Sequence, residues 1–170
     1  KGRVLTTQKC RRCHEEVYGI YAGSVHGKAL LSEQNQDVPI CIDCHTAHDI
    51  QNPLTLDYHE RIPQMCGNCH ANPSVVEKYG LSTDVLKTYL SDFHGVTLGF
   101  YKRQREKLYK PARPIAVCTD CHGTHNIATM AGTEAHVVKS NLAKRCQKCH
   151  REAGEQFPSA WIDRKSTRLN

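Results

Sequence analysis

The chain has 170 residues, a formal net charge of +6 and only 6% aromatic residues, and its mean hydropathy is −0.57. This length predicts one domain, although so polar a chain has little side-chain surface to bury in a core. The sequence contains no apolar run of about 18 residues, so it predicts no membrane-spanning helix.

Short helices separated by long loops are predicted along the chain, with little or no β-sheet. Residues 15–31 are expected to be helical in pieces, interrupted at Gly19, Gly23 and Gly27. Residues 72–93 are the best helix candidate. Pro73 suits a first helical turn after Asn72.

A second helix is predicted within the same stretch, capped by Ser82 or Thr83. Its apolar residues recur at three- and four-residue spacing; they are Val85, Leu86, Tyr89, Leu90 and Phe93. The stripe predicts packing on the face of a flat cofactor, with packing on a neighbouring loop as the alternative.

A basic segment follows at residues 102–110, with Lys102, Arg103, Arg105, Lys107 and Lys110. It is interpreted as a solvated loop that neutralises acidic groups, or as a docking patch for an acidic redox partner or another subunit. The last residues, 164–170, show no apolar pattern and are interpreted as a native or a foreign tail.

All ten cysteines fall in five Cys-x-x-Cys-His motifs. In chain order, motifs 1 to 5 are Cys10-Arg-Arg-Cys13-His14, Cys41-Ile-Asp-Cys44-His45, Cys66-Gly-Asn-Cys69-His70, Cys118-Thr-Asp-Cys121-His122 and Cys146-Gln-Lys-Cys149-His150. This is the attachment signature of c-type haem. The two thiols add to the porphyrin vinyl groups, and the histidine becomes the proximal iron ligand. The sequence therefore predicts five haem c groups.

Other cysteine-rich classes fit the pattern less well. A disulfide framework gives no reason for a histidine after every second cysteine. Zinc ribbons use two Cys-x-x-Cys pairs per metal, and five pairs do not divide by two. A thioredoxin-like site expects one such pair.

Six histidines lie outside the motifs: His26, His48, His59, His94, His125 and His136. Five irons with five proximal histidines need five distal ligands, so bis-histidine ligation is predicted throughout, with one histidine spare. His48 and His125 follow a proximal histidine too closely to reach their own haem's other face, so each is expected to ligate a different haem. Met65 and Met130 are interpreted as packing residues.

An internal repeat organises these residues. Ser24-Val-His26-Gly27 matches Asp92-Phe-His94-Gly95, and Cys44-His45-Thr-Ala-His48 matches Cys121-His122-Gly-Thr-His125. His59 likewise matches His136. We therefore predict a single domain, residues 1–163, built of two repeat units at about 10–70 and 66–150.

Taken together, these motifs resemble multihaem c-type cytochromes with doubled Cys-x-x-Cys-His motifs, from Cys10 to His150. Asp92 stands where the first unit has Ser24, so the second Ser-Val-His-Gly-type element matches imperfectly. The resemblance implies a chain wrapped around closely stacked bis-histidine haems and long-range electron transfer. Similar proteins are periplasmic carriers, subunits of extracellular filaments joined through end haems, or electron-feeding parts of reductases.

The resemblance also implies maturation outside the cytoplasmic membrane of a prokaryote, and a start at Lys1 rather than Met fits a mature exported form. We therefore expect a periplasmic or extracellular electron carrier or filament subunit whose partners are redox proteins, extracellular acceptors or further copies of itself. The alternative is an electron-feeding module or an oxyanion reductase with one open haem; catalytic residues are not predicted.

The basic composition does not indicate a nucleic-acid partner. Each bis-histidine haem with ionised propionates carries about −1 when ferric and about −2 when ferrous. Five haems would change the net charge of +6 to about +1 or about −4.

Overall fold

The computed structural model describes residues 2–104, 114–128, 143–154 and 156–158. Within these ranges the chain forms short helices and no β-strand, so the predicted fold class is confirmed. His136, Met130, the tail and residues 105–113 of the basic segment and its continuation lie outside the described residues.

Nine α-helices and one 3-10 helix carry most of the described chain. They are α1 (Gly2–Arg11), α2 (Glu15–Gly23), α3 (Val25–Leu31), α4 (Cys41–His45), α5 (Leu56–His70), α6 (Pro73–Val76), the 3-10 helix Glu77–Tyr79, α7 (Val85–Ser91), α8 (Phe93–Gln104) and α9 (Cys118–His122). Residues 143–147 and 156–158 add short helical turns.

The break between α2 and α3 falls at Ser24, directly after the predicted interruption Gly23, whereas the other predicted interruptions, Gly19 and Gly27, lie inside helices. Ser24 has extended backbone angles, and its hydroxyl accepts a hydrogen bond from the Gly27 backbone N–H at 3.0 Å. A serine cap of this kind satisfies a free N–H at a helix start. Gly27 is required because a Cβ there would overlap the carbonyl of Tyr21.

The helices predicted for residues 72–93 are present, with one correction. Asn72 caps α6 by accepting from the Ser74 backbone N–H at 3.0 Å, and Pro73 occupies the first turn, as predicted. The cap of α7 is Asp84, so the prediction of Ser82 or Thr83 was wrong. Ser82 instead accepts a hydrogen bond from the Asp84 backbone N–H before the helix begins.

The apolar core is small. Its buried members are Tyr58, Ile62, Leu98 and Val117, which bring together α5, α8 and the start of α9. Met65 packs against this cluster, in agreement with its predicted role. So limited a core is what the polar composition predicts.

The apolar stripe of residues 85–93 is divided between two environments. Tyr89 packs on the core cluster, and Leu86 lies against Gly67. Val85, Leu90 and Phe93 are exposed, Phe93 by 71%. Packing of the stripe on porphyrin stays a prediction. Among the helices of the described ranges, none is long and apolar enough to cross a membrane.

Candidate haem sites

The five motifs occupy helical turns or helix ends. Motif 2 forms α4, motif 3 ends α5 and motif 4 forms α9. In motifs 1 and 5 the backbone N–H of the histidine donates to the backbone carbonyl of the first cysteine, at 3.0 Å for His14 and 2.8 Å for His150. This helical bond places the first cysteine and the histidine one turn apart on the same face.

Motifs 2 and 4 share a device that starts the helix at the first cysteine. Asp43 Oδ2 accepts from the Ile40 backbone N–H, and Asp120 Oδ2 accepts from the Val117 backbone N–H, both at 2.7 Å. These bonds satisfy the amide that precedes each helix. The aspartate in Cys-x-Asp-Cys-His therefore fixes where the helix of the motif begins.

No disulfide joins any of the ten cysteines, and thiols from different motifs lie together. Burial and the neighbouring Cys10 raise the pKa of Cys41 to about 11. A hydrogen bond with Cys118, together with burial, raises the pKa of Cys66. Motif 1 therefore adjoins motif 2, and motif 3 adjoins motif 4.

Three imidazole pairs join the motif histidines to histidines outside the motifs. The ring centroids of His26 and His70 are 6.2 Å apart, as are those of His94 and His150. Those of His45 and His125 are 6.0 Å apart.

These separations fit an iron between the two rings. An imidazole nitrogen lies about 2 Å from a bound metal and roughly 1 Å from its own ring centre, so two axial imidazoles have centroids about 6 Å apart. His45 pairs with His125, which the sequence places in the other repeat unit. That His125 serves a haem other than its own stays a prediction.

Burial favours the neutral imidazole that a metal requires. It lowers the pKa of His26, with a smaller effect of His70, and it also lowers the pKa of His70. The pKa values of His45 and His125 are lowered mainly by burial, with smaller effects of His14 and His45 respectively. These four rings are therefore poised as ligands without first losing a proton at neutral pH.

The other predicted ligands have different surroundings. His59 Nε2 lies 3.1 Å from Asp120 Oδ2, and its Nδ1 is buried without a hydrogen-bond partner. His48 and His14 are exposed, and His122 ends α9. Six of the predicted ligands therefore lie in three pairs, a pairing that the sequence did not specify.

Two polar side chains beside motif 2, those of Tyr58 and Arg3, were not predicted from the sequence. Tyr58 Oη lies 3.3 Å from His45 Nδ1 and 3.1 Å from the Cys44 carbonyl. The Arg3 guanidinium contacts the Asp43 carboxylate. Tyr58 carried no signal, because only the fold brings α5 against α4. For Arg3 the signal was its partner, because motifs 2 and 4 share an aspartate at a position typical of helix starts.

Across the described ranges, no group of three or more His, Cys, Asp or Glu side chains is arranged to hold a metal ion. A zinc ribbon would assemble four such ligands around one metal.

The sequence model of the family described as the doubled CXXCH motif matches residues 33–74. This region contains motifs 2 and 3, and the match supports a multihaem c-type cytochrome-like protein with covalently bound haem and a role in electron transfer. Attachment motifs of this type imply a location outside the cytoplasm. No curated protein matches the chain, and no solved structure does.

Proposed function

We propose that this protein is a pentahaem electron carrier that works in the periplasm or outside the cell. Each motif attaches one haem c through its two cysteines, and each iron has two axial histidines. The haem groups supply reversible one-electron chemistry, which lets electrons pass along the chain of cofactors.

The observation that carries this proposal is the set of three imidazole pairs. Each pair combines one motif histidine with one histidine from elsewhere, at a centroid separation of 6.0 or 6.2 Å. His26 and His94 are related by the repeat, and their partners His70 and His150 close motifs 3 and 5. The two remaining haems would draw their distal ligands from His48, His59 and His136.

The polypeptide's part is to position and separate these sites. Helical turns present each cysteine pair beside its histidine, and burial lowers the pKa of four of the six paired imidazoles, which favours their neutral form. The proximity of Cys10 to Cys41, and of Cys66 to Cys118, sets neighbouring attachment points close together. Short distances between redox centres are what a carrier requires, while two axial ligands on every iron would leave no position for a substrate.

Partners would exchange electrons at the two ends of the series. Cys13 in motif 1 and Cys149 in motif 5 are exposed, whereas the cysteines of motifs 2 to 4 are partly buried. The partner would be a redox protein, an extracellular acceptor or a second copy that forms a filament through end haems. Imaging of native material distinguishes particles of single chains from filaments.

Haem content and ligation test the proposal directly. Mass spectrometry should show the chain mass plus five haems, and the optical and electron paramagnetic resonance spectra should be entirely low-spin. His26→Ala, His94→Ala and His125→Ala should each convert one haem of five to a high-spin form that binds carbon monoxide. Thr124→Ala, an exposed neighbour of His125, serves as the control and should leave all haems low-spin.

Two results would contradict the proposal. A purified chain of unmodified mass would exclude covalent haem. A high-spin haem in the unaltered protein would indicate an open coordination position and favour a reductase.

A further inference from the structure

Tyr58 connects two groups of motif 2 through its hydroxyl. Tyr58 Oη lies 3.3 Å from Nδ1 of His45 and 3.1 Å from the carbonyl oxygen of Cys44. The two rings are nearly parallel, at 16°, with centroids 5.8 Å apart. Tyr58 thus contacts the proximal histidine on the side away from the nitrogen that would face an iron.

The fold holds Tyr58 firmly in this position. Its side chain is 7% exposed and packs with Ile62, Leu98 and Val117 in the core cluster. Its backbone N–H donates to Thr55 Oγ1 at the start of α5. The hydroxyl is therefore placed by a buried ring in the first turn of a helix and not by a mobile surface side chain.

When His45 ligates iron, only one arrangement of the hydrogen bonds among His45, Tyr58 and Cys44 is possible. Ligation through Nε2 leaves the hydrogen on Nδ1, which then donates to Tyr58 Oη. The phenol keeps its own hydrogen for the Cys44 carbonyl. Each group in this short chain both satisfies and orients the next.

We propose that Tyr58 is a positioning residue for the axial His45: it fixes the ring's orientation and, by accepting from Nδ1, raises the electron density at Nε2. Hydrogen bonds of this kind orient a metal-bound histidine and increase its basicity. The inference rests on the proposed function, since it assigns Tyr58 a role at the haem of motif 2. A more basic ligand favours ferric iron and lowers that haem's reduction potential.

The second repeat unit cannot reproduce this contact at the corresponding position. The match of His59 with His136 aligns Tyr58 with Ala135, and a methyl group accepts no hydrogen bond. Tyr58 is therefore a feature of motif 2 that the repeat does not carry to the aligned position of the second unit.

The test is Tyr58→Phe in the complete haem-loaded protein, followed by a redox titration with electron paramagnetic resonance detection. One low-spin component of five should titrate at a higher potential and shift its largest g value, while four stay unchanged. His125→Met identifies the component of motif 2, because a methionine ligand raises the potential of the haem it binds. Tyr58→Phe should move that same component.

Tyr89→Phe is the matched control. It also removes a partly buried phenol that donates to a backbone carbonyl, that of Ala116 at 3.0 Å. It should leave the motif 2 component in place. An unchanged motif 2 component in Tyr58→Phe, or an equal shift of it in Tyr89→Phe, would overturn the inference.

The unaltered protein provides a second measurement that does not depend on folding of a variant. With histidine labelled by ¹⁵N, the Nδ1–H of His45 should exchange slowly with solvent, as expected for a buried hydrogen bond. Rapid exchange would overturn the role of Tyr58. Five covalent haems with no Tyr58→Phe effect would refute the inference alone, whereas a haem-free chain would refute the proposed function.

Discussion

The segments that lead into motifs 2 and 4 are held by the same type of hydrogen bond, from a tyrosine hydroxyl to a backbone carbonyl. In the first, Tyr21 Oη donates to the Pro39 carbonyl at 2.8 Å. In the second, Tyr89 Oη donates to the Ala116 carbonyl at 3.0 Å. Each bond ties the helix before a Ser-Val-His-Gly-type element to the approach of the motif. Both elements present a histidine at about 6 Å from a motif histidine, as two axial ligands require.

The segments differ in what surrounds the motif. The aspartate of motif 2 contacts Arg3, whereas that of motif 4 contacts His59. Tyr58 reaches the histidine of motif 2, and its counterpart in sequence is Ala135. The comparison teaches that the backbone framework repeats while the partner of the motif aspartate and the residue aligned with Tyr58 do not. Matching attachment sites can thereby acquire different redox properties.

The two segments also share a glycine directly after the histidine: Gly27 follows His26, and Gly95 follows His94. A Cβ at Gly27 would overlap the Tyr21 carbonyl, and one at Gly95 would overlap the Tyr89 carbonyl. Gly27→Ala and Gly95→Ala should therefore each lower the free energy of unfolding by about 3 kcal/mol, because the obstacle is backbone. Chemical denaturation followed by circular dichroism measures the loss.

Gly19→Ala is the control, since no atom lies within 4 Å of the added Cβ. Alanine inside α2 should raise stability by up to about 1 kcal/mol. Losses that differ widely between Gly27→Ala and Gly95→Ala would show that the two segments are not equivalent.

Substitution of the aspartates in motifs 2 and 4 should destabilise the two segments to different extents. Asp43→Asn should cost about 1–2 kcal/mol and Asp120→Asn about 1 kcal/mol. Both lose a charged acceptor for the helix-start N–H, but Asp43 also faces Arg3, which is charged at every accessible pH. The same denaturation experiment measures both. A larger loss for Asp120→Asn would reverse this ranking.

Alkaline pH should destabilise both segments to a similar extent, and by less than the glycine and aspartate substitutions do. Burial, with a smaller effect of Cys41, raises the pKa of Tyr21 to about 12, and burial also raises that of Tyr89. A free tyrosine ionises near pH 10, so this stability is complete below about pH 10 and is lost as pH rises toward 12. Each tyrosine should contribute on the order of 1 kcal/mol, since partial exposure screens the charge.

Tyr21→Phe and Tyr89→Phe should each flatten the dependence of stability on pH between about 10 and 12. Melting temperatures measured across this range provide the test. An alkaline loss as steep in both variants as in the unaltered chain would mean that other groups cause it.

Several local features followed from the sequence because they depend on neighbours in the chain. Asn72 and Pro73 start α6 as predicted, since a capping side chain and a proline act within one turn. The predicted cap of α7 was wrong because Ser82 accepts from the Asp84 backbone N–H in the turn before the helix, so that the helix begins after Asp84. Of the three glycines predicted to interrupt the helix, Gly23 ends α2, but Gly19 and Gly27 lie inside helices, where Gly27 packs closely against the Tyr21 carbonyl.

The sequence by itself determined the cofactor chemistry, because thioether attachment requires two cysteines and a histidine at fixed spacing in one helical turn. It also determined the supply of candidate axial ligands and the short helical elements. The tertiary structure alone decided which histidines face one another and that Tyr58 lies against His45. Those contacts join residues far apart in sequence, and only the folded chain brings their side chains close together.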